Sequence, residues 1–220
     1  MAKISIRFLK LIVGLFLYAL GIVLTIQANI GYGPWEVFHV GISAVTGISI
    51  GTASIIVGLV IVLITILMGE TIGLGTLLNM FLIGFFLDLL LALGLIPKVE
   101  NLLAGIPVLI LGLYVISLGS YFYIGSGFGA GPRDSLMVAL ARRLRWPIGL
   151  IRSLIELTAT ILGWTLGGMV GLGTLISGFA IGFCIHSSFK LLKFDPTRVH
   201  HSTLNESLAE LKAALVKKGP

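Results

Sequence analysis

Displaced by 98 positions, the distance from Gly31 to Gly129, the chain lies over itself without a gap. Leu11-Ile12-Val13-Gly14-Leu15 falls on Leu109-Ile110-Leu111-Gly112-Leu113, and Gly31-Tyr32-Gly33-Pro34 on Gly129-Ala130-Gly131-Pro132. Gly73-Leu74-Gly75-Thr76-Leu77 recurs unchanged as Gly171-Leu172-Gly173-Thr174-Leu175, and Ile83-Gly84-Phe85 as Ile181-Gly182-Phe183. Isolated glycine matches are easy in a chain with 29 glycines, but a register held across about 80 positions is not. Such a chain must build one structural unit twice and pack the copies together. Internal repeats are a common construction for membrane transporters, with the site at the interface between copies.

Composition says what surrounds the two copies. Hydrophobic residues make up 57% and charged residues 11%, whereas a soluble domain carries about 25% charged residues. Water cannot be the solvent for most of this surface. A span needs roughly 20 apolar residues, which leaves room for six to eight, and the glycines let membrane helices approach closely. The net charge of +6 is no nucleic-acid signature, because the cations flank apolar runs, as they do when they fix topology. The lone Cys184 excludes an internal disulfide and a multi-Cys metal site, and it reads as a small apolar wall residue. Residues 1–28 have the basic start and apolar centre of a signal peptide, but the same segment recurs inside the chain and is read as a span.

Each copy reads as four helical pieces. A long helix (about 8–29 and 106–127) runs into the Gly-x-Gly-Pro turn, and a shorter helix follows (about 34–47 and 132–145). Two further apolar helices complete the unit (about 49–69 and 73–95; 147–166 and 172–192). The turn is a break and restart: Gly31, Gly33, Gly129 and Gly131 free the backbone, and Pro34 and Pro132 suit the first position of a helix. The expected fold is an all-α, polytopic transmembrane bundle of two tandem repeats, 1–97 and 98–194, with a cytoplasmic tail, 195–220. If the short helix crosses, each unit has four spans and the copies point the same way. If it is re-entrant, each has three spans and the copies are inverted. Charge does not separate the two, since the basic segments and both termini come out on the cytoplasmic side either way. Four plus four is the preferred reading. The re-entrant one stays open because broken helices at membrane depth are tolerated where they line a cavity.

In the tail, Thr203 and Glu206 form a capping-box pattern. Leu204, Leu208, Leu211 and Leu215 then make one apolar stripe. This predicts an amphipathic helix lying on the bilayer, on its own bundle or on a partner. His200 and His201 are read as solvated.

The sharpest constellation is the acidic residue two positions after each repeated proline, Glu36 and Asp134. An ionisable group inside membrane spans is a functional hypothesis by default. The alternative is that both carboxylates merely serve the first turn of a helix, where the macrodipole favours them by about 0.3–1 kcal/mol. Arg133 would assist an anion at the same helix starts and Glu36 would oppose one, so the sign of a ligand stays open. His39 lies on the face of Glu36, beside Trp35, either as a proton relay or as a packed, hydrogen-bonded histidine. Asp88 and His186 occupy equivalent positions in the last helix of each copy, where they either meet at the interface or sit at the headgroup level. Arg152 and Glu156 are four apart and read as an internal ion pair. Gln27, Asn29 and Asn79 line a polar path or bridge helices. No soluble enzyme motif is present, and nothing asks for a cofactor or a metal.

At the two Gly-Pro turns the chain resembles a known family. Gly31-Tyr32-Gly33-Pro34-Trp35-Glu36-Val37-Phe38-His39, the following Gly47-Ile48-Ser49-Ile50-Gly51-Thr52-Ala53-Ser54, and Gly129-Ala130-Gly131-Pro132-Arg133-Asp134-Ser135-Leu136-Met137 are similar to the YczE/YyaS/YitT group of bacterial integral membrane proteins. The resemblance covers roughly 8–192 and implies a bacterial inner-membrane location. YitT-like relatives often add a soluble C-terminal domain, where this chain has a short helical tail. The expectation is a non-enzymatic small secondary transporter in contact with the bilayer and a small polar or ionic solute, not nucleic acid. Its site would lie between the repeats, and a homodimer is compatible. A membrane protein that supports or regulates other proteins is the alternative.

Overall fold

The computed structural model describes residues 2–199, 201–207 and 209. It is built of helices α1 (Ala2–Gln27), α2 (Pro34–Thr46), α3 (Ile50–Leu67), α4 (Leu74–Leu93), α5 (Leu102–Gly125), α6 (Pro132–Leu144), α7 (Ile148–Thr165) and α8 (Leu172–Leu191), with a 3-10 turn at Pro196–Arg198. Six of them are long and apolar enough to cross a membrane; α2 and α6 are not among these. At 1.5 Å per residue the 13-residue helices α2 and α6 reach about 20 Å, short of the roughly 30 Å hydrocarbon core. Large apolar side chains face outward along the long helices, among them Leu67, Phe179 and Phe183, where lipid can cover them.

The centre of the bundle is the seam between α1 and α5. A Cβ on Gly14 would lie 2.5 Å from the Tyr123 nitrogen and 2.9 Å from the Gly119 oxygen, and one on Gly21 2.7 Å from the Gly112 oxygen. Backbone therefore meets backbone, as small residues permit. Because Gly14 meets Gly119 while Gly21 meets Gly112, the two helices run antiparallel.

The remaining directions follow from contacts at the two ends. Val99 N–H donates to the Gln27 carbonyl, and Gln27 Nε2 donates to Ile96 O. The end of α4 and the start of α5 thus lie beside the end of α1. Gly51 packs on Gly84 and Gly58 on Met80, so α3 runs antiparallel to α4 and starts at this same end. Helix α2, between α1 and α3, must therefore leave and return at the Gln27 end. At the opposite end Arg7 Nε donates to Ser126 O after α5. Tyr32 N–H donates to Met169 O, placing the end of α7 at the Gln27 end. Helix α6 accordingly leaves and returns at the Arg7 end.

The copies are thus inverted, with three long helices and one re-entrant helix each. This corrects the preferred eight-span reading: hydropathy reports how apolar a segment is, not the direction in which its copy is packed.

Each broken turn lies against the other copy. The Ile30 carbonyl accepts the Gly173 N–H at 2.7 Å, and the Phe128 carbonyl, 98 residues on, accepts the Gly75 N–H at 2.7 Å. Gly31 (φ +111°) and Gly129 (φ +123°) hold conformations that L side chains rarely adopt. Buried Thr76 accepts from Gly73 N–H at 3.2 Å and donates to Ala130 O at 2.6 Å. Thr76→Val strands both groups and is expected to cost about 1–3 kcal/mol. Thermal unfolding in detergent would show this, with a smaller loss for Thr174→Val, whose hydroxyl has only the Gly171 N–H as a partner among the described residues.

The two halves are not in the same conformation. Asp88 accepts from the Gly51 N–H at 2.7 Å and from Ser49 Oγ, sealing α4 on the start of α3. In the second copy Pro147 and His186 stand at the positions of Ser49 and Asp88. There a Cβ on Gly149 or Gly182 would meet nothing within 4 Å, and α7 stands off α8.

The tail begins on the Arg7 end. Ser202 N–H donates to Gly127 O, Leu204 N–H to Ile72 O, and Arg7 reaches Ser202 Oγ at 3.2 Å. Thr203 and Glu206 make the reciprocal capping pair, at 2.8 and 3.4 Å. Leu208, Leu211 and Leu215 lie outside the described residues.

Candidate functional site

The Gly-Pro turns exist because an extended N-cap, Gly33 or Gly131, precedes a proline at the first helical position. That places the third residue of each short helix, Glu36 or Asp134, over its own exposed N–H groups. A Cβ on Gly131 would lie 3.4 Å from Asp134 Oδ2. A Cβ on Gly33 would lie 2.5 Å from Glu36 Oε2. Both acids thus sit in the first turn, as the macrodipole favours.

They also share a cavity of about 560 Å³ between the two copies. Glu36, Trp35 and His39 reach it from α2, and Arg133 and Asp134 from α6. Here the positions at which the copies differ most meet: the Arg133 guanidinium lies 4.6 Å over the Trp35 ring and its Nη1 is 3.9 Å from Glu36 Oε1. Trp35 and Arg133 are equivalent in the repeat, so one copy supplies the cation and the other its aromatic platform. His39 is 2% exposed and its ring lies 6.4 Å from that of Trp35. Asp134 is exposed, and the space it faces is the cavity. Arg152 and Glu156 pair at 2.9 Å, as their spacing predicts, and line the same wall.

Three other candidates lie elsewhere. Asn29 holds the connection between the copies, its Nδ2 donating to Val99 O at 3.0 Å. Asp88 accepts from the start of α3, and His186 is exposed on α8. They do not meet, since equivalent positions in inverted copies fall at opposite ends of the bundle. Among the described residues no group of three or more His, Cys, Asp or Glu side chains is placed to hold a metal.

Sequence reasoning missed Tyr18, Tyr123 and Ser177, all of which line the cavity. Ser177 left a signal: it is the repeat equivalent of Asn79, so both copies carry a polar group there inside an apolar run. Tyr123 left a similar one, since its equivalent is Thr25, whereas Tyr18 left none, because its equivalent is Ile116. The Tyr123 and Ser177 hydroxyls are buried without a hydrogen-bond partner among the described residues.

A family model described as "Family of unknown function (DUF6198)" matches residues 5–190. The chain is 34% identical over 202 residues to the uncharacterized membrane protein YczE of Bacillus subtilis (strain 168), covering 89% of this chain and 93% of that one. It is 33% identical over 175 residues to an uncharacterized protein of Haemophilus influenzae (strain ATCC 51907 / DSM 11121 / KW20 / Rd), covering 77% and 79%. It is 27% identical over 177 residues to the uncharacterized protein YyaS of Bacillus subtilis (strain 168), covering 79% and 88%. No solved structure matches it significantly.

Proposed function

This chain belongs to the DUF6198 family of YczE- and YyaS-like membrane proteins, and from its cavity we propose that it is a small secondary transporter of a polar or ionic solute. The observation that carries the reading is a cavity between inverted copies, lined by charged groups from both, while one copy is sealed and the other stands open. Inverted repeats around a site between them suit alternating access. If the copies exchange conformations, α7 closes on α8 as α3 now closes on α4, and the cavity opens towards the other end.

Charge supports an orientation. Arg7, Lys10, Arg142, Arg143, Lys190 and Arg198 gather at the Arg7 end, with Lys98 beside the opposite one. The positive-inside rule makes the Arg7 end cytoplasmic, in the inner membrane of a bacterial cell. The start of the tail is tied to its own bundle through Ser202 and Leu204, which favours a transporter over a protein whose tail recruits partners.

Cross-linking tests the exchange. In the sealed copy, Ile55 Cγ1 lies 2.5 Å from where a Cβ on Gly84 would sit; the equivalent pair in the open copy is Ser153 and Gly182. With Cys184→Ala as background, Ser153→Cys/Gly182→Cys is expected to form a disulfide in oxidised membranes, because closure brings the two within bridging range. A folded double variant that never cross-links would rule out this exchange.

A further inference from the structure

We propose that the cavity takes a small organic monocation, an ammonium or guanidinium with N–H groups to donate; the inference rests on the transporter reading and supplies its substrate class.

The charge balance points to one missing positive charge. Glu36, Asp134 and Glu156 face Arg133 and Arg152 across the cavity. Arg133 is held by Glu36 and Trp35, and Arg152 by Glu156. Among the aspartate, glutamate, arginine and lysine side chains of the cavity one carboxylate is left over, and among the described residues no cation stands within salt-bridge distance of Asp134. A ligand of charge +1 beside Asp134 brings the cavity to neutrality. An anion would deepen the imbalance, and a zwitterion would leave it unchanged.

Two buried hydroxyls point the same way. Tyr123 is 3% exposed and Ser177 4% exposed, and neither has a partner among the described residues. Each lies beside one of the two carboxylate corners. Tyr123 Oη and Asp134 Oδ2 are both 3.4 Å from where a Cβ on Gly131 would sit, and Asn79 Nδ2 is 3.8 Å away. Ser177 Cβ is 3.9 Å from the matching point on Gly33, where Glu36 also lies. A hydroxyl can donate or accept, but a carboxylate only accepts, so a ligand that bonds both oxygens at such a corner must bring N–H or O–H donors.

The protein has filled one corner with a cation of its own. Arg133 supplies a guanidinium to Glu36 and the Trp35 face, while the repeat equivalent of Arg133 is Trp35, which supplies no cation to Asp134. A ligand ammonium or guanidinium would complete the second corner as Arg133 completes the first. The size of the cavity, about 560 Å³, falls in the range of organic ligands and far exceeds a bare ion. Ile22, Ile61, Met80 and Ile116 offer walls for an apolar body.

The test uses the full-length protein in detergent at neutral pH with five probes: butylammonium, methylguanidinium, sodium, butanoate and glycine. Butylammonium or methylguanidinium is expected to raise the unfolding midpoint saturably, since a ligand that binds only the folded state stabilises it. Asp134→Asn should weaken the apparent affinity at least about tenfold, the scale of a lost charge-assisted hydrogen bond. Tyr123→Phe, which removes only a hydroxyl, should weaken it by a smaller factor and covers the case in which Asp134→Asn does not fold. Stabilisation by butanoate or glycine alone, an equal response to sodium, or no response to any probe would overturn the proposal. Binding of the organic cations without uptake into proteoliposomes, together with no Ser153→Cys/Gly182→Cys cross-link, would sink the transporter reading and leave the cation site standing.

Discussion

Gly14→Leu is expected to lose the native bundle, with a cost of about 3 kcal/mol or more in thermal unfolding followed by circular dichroism in detergent. The site for the new side chain is occupied by backbone, the Tyr123 nitrogen at 2.5 Å and the Gly119 oxygen at 2.9 Å. Backbone cannot rotate aside as a side chain can, so α1 and α5 must separate along their length. Overpacking alone typically costs about 1–3 kcal/mol, and this seam also holds the two copies together. Against a net stability of about 5–15 kcal/mol, that is a large share. Gly178→Leu is the control, since a Cβ there meets nothing within 4 Å; a change within about 0.5 kcal/mol is expected. Equal behaviour of the two variants would show that α1 and α5 are not packed backbone to backbone.

The second large effect separates the two halves of the repeat. Gly51 and Gly149 are equivalent in sequence, yet a Cβ on Gly51 would run into the Gly84 carbonyl and the Asp88 carboxyl, whereas one on Gly149 meets open space. Gly51→Ala is therefore expected to destabilise by about 2 kcal/mol or more, through overpacking and the loss of the Asp88 hydrogen bonds. Gly149→Ala should be neutral or stabilising by up to about 1 kcal/mol, because alanine favours a helix over glycine and nothing opposes it. Unfolding midpoints of the two variants, side by side, decide the matter. If the halves exchange conformations, Gly51→Ala should also speed the Ser153→Cys/Gly182→Cys cross-link, since it disfavours the state in which α3 is sealed on α4. Equal midpoints for both variants would mean that the asymmetry is absent in solution.

Much of the site was legible residue by residue. Repeat matching singled out Glu36 and Asp134, and the Gly-Pro turns announced helix starts at Pro34 and Pro132, because glycine and proline act on the backbone locally. The polar match of Asn79 and Ser177 was there to be read. The pairing of Arg133 with Trp35 was not, since the two are 98 positions apart and meet only because each short helix enters from its own end of the bundle. Asp88 and His186 show the converse: repeat equivalence left open either a meeting or places near the headgroups, and inversion carried them to opposite ends.

From the sequence alone came the apolar surroundings, the eight helices with their breaks, the twofold repeat and the family, all properties that run along the chain one segment at a time. The tertiary structure decided the direction of the second copy, and with it the number of spans, the sealed and open halves and the composition of the cavity. The reason lies in the glycines of the central seam. Gly14 and Gly21 could meet Gly112 and Gly119 in parallel order or, as they do, in antiparallel order. Small residues allow close approach in either direction, and only the packing of every other helix around α1 and α5 selects one.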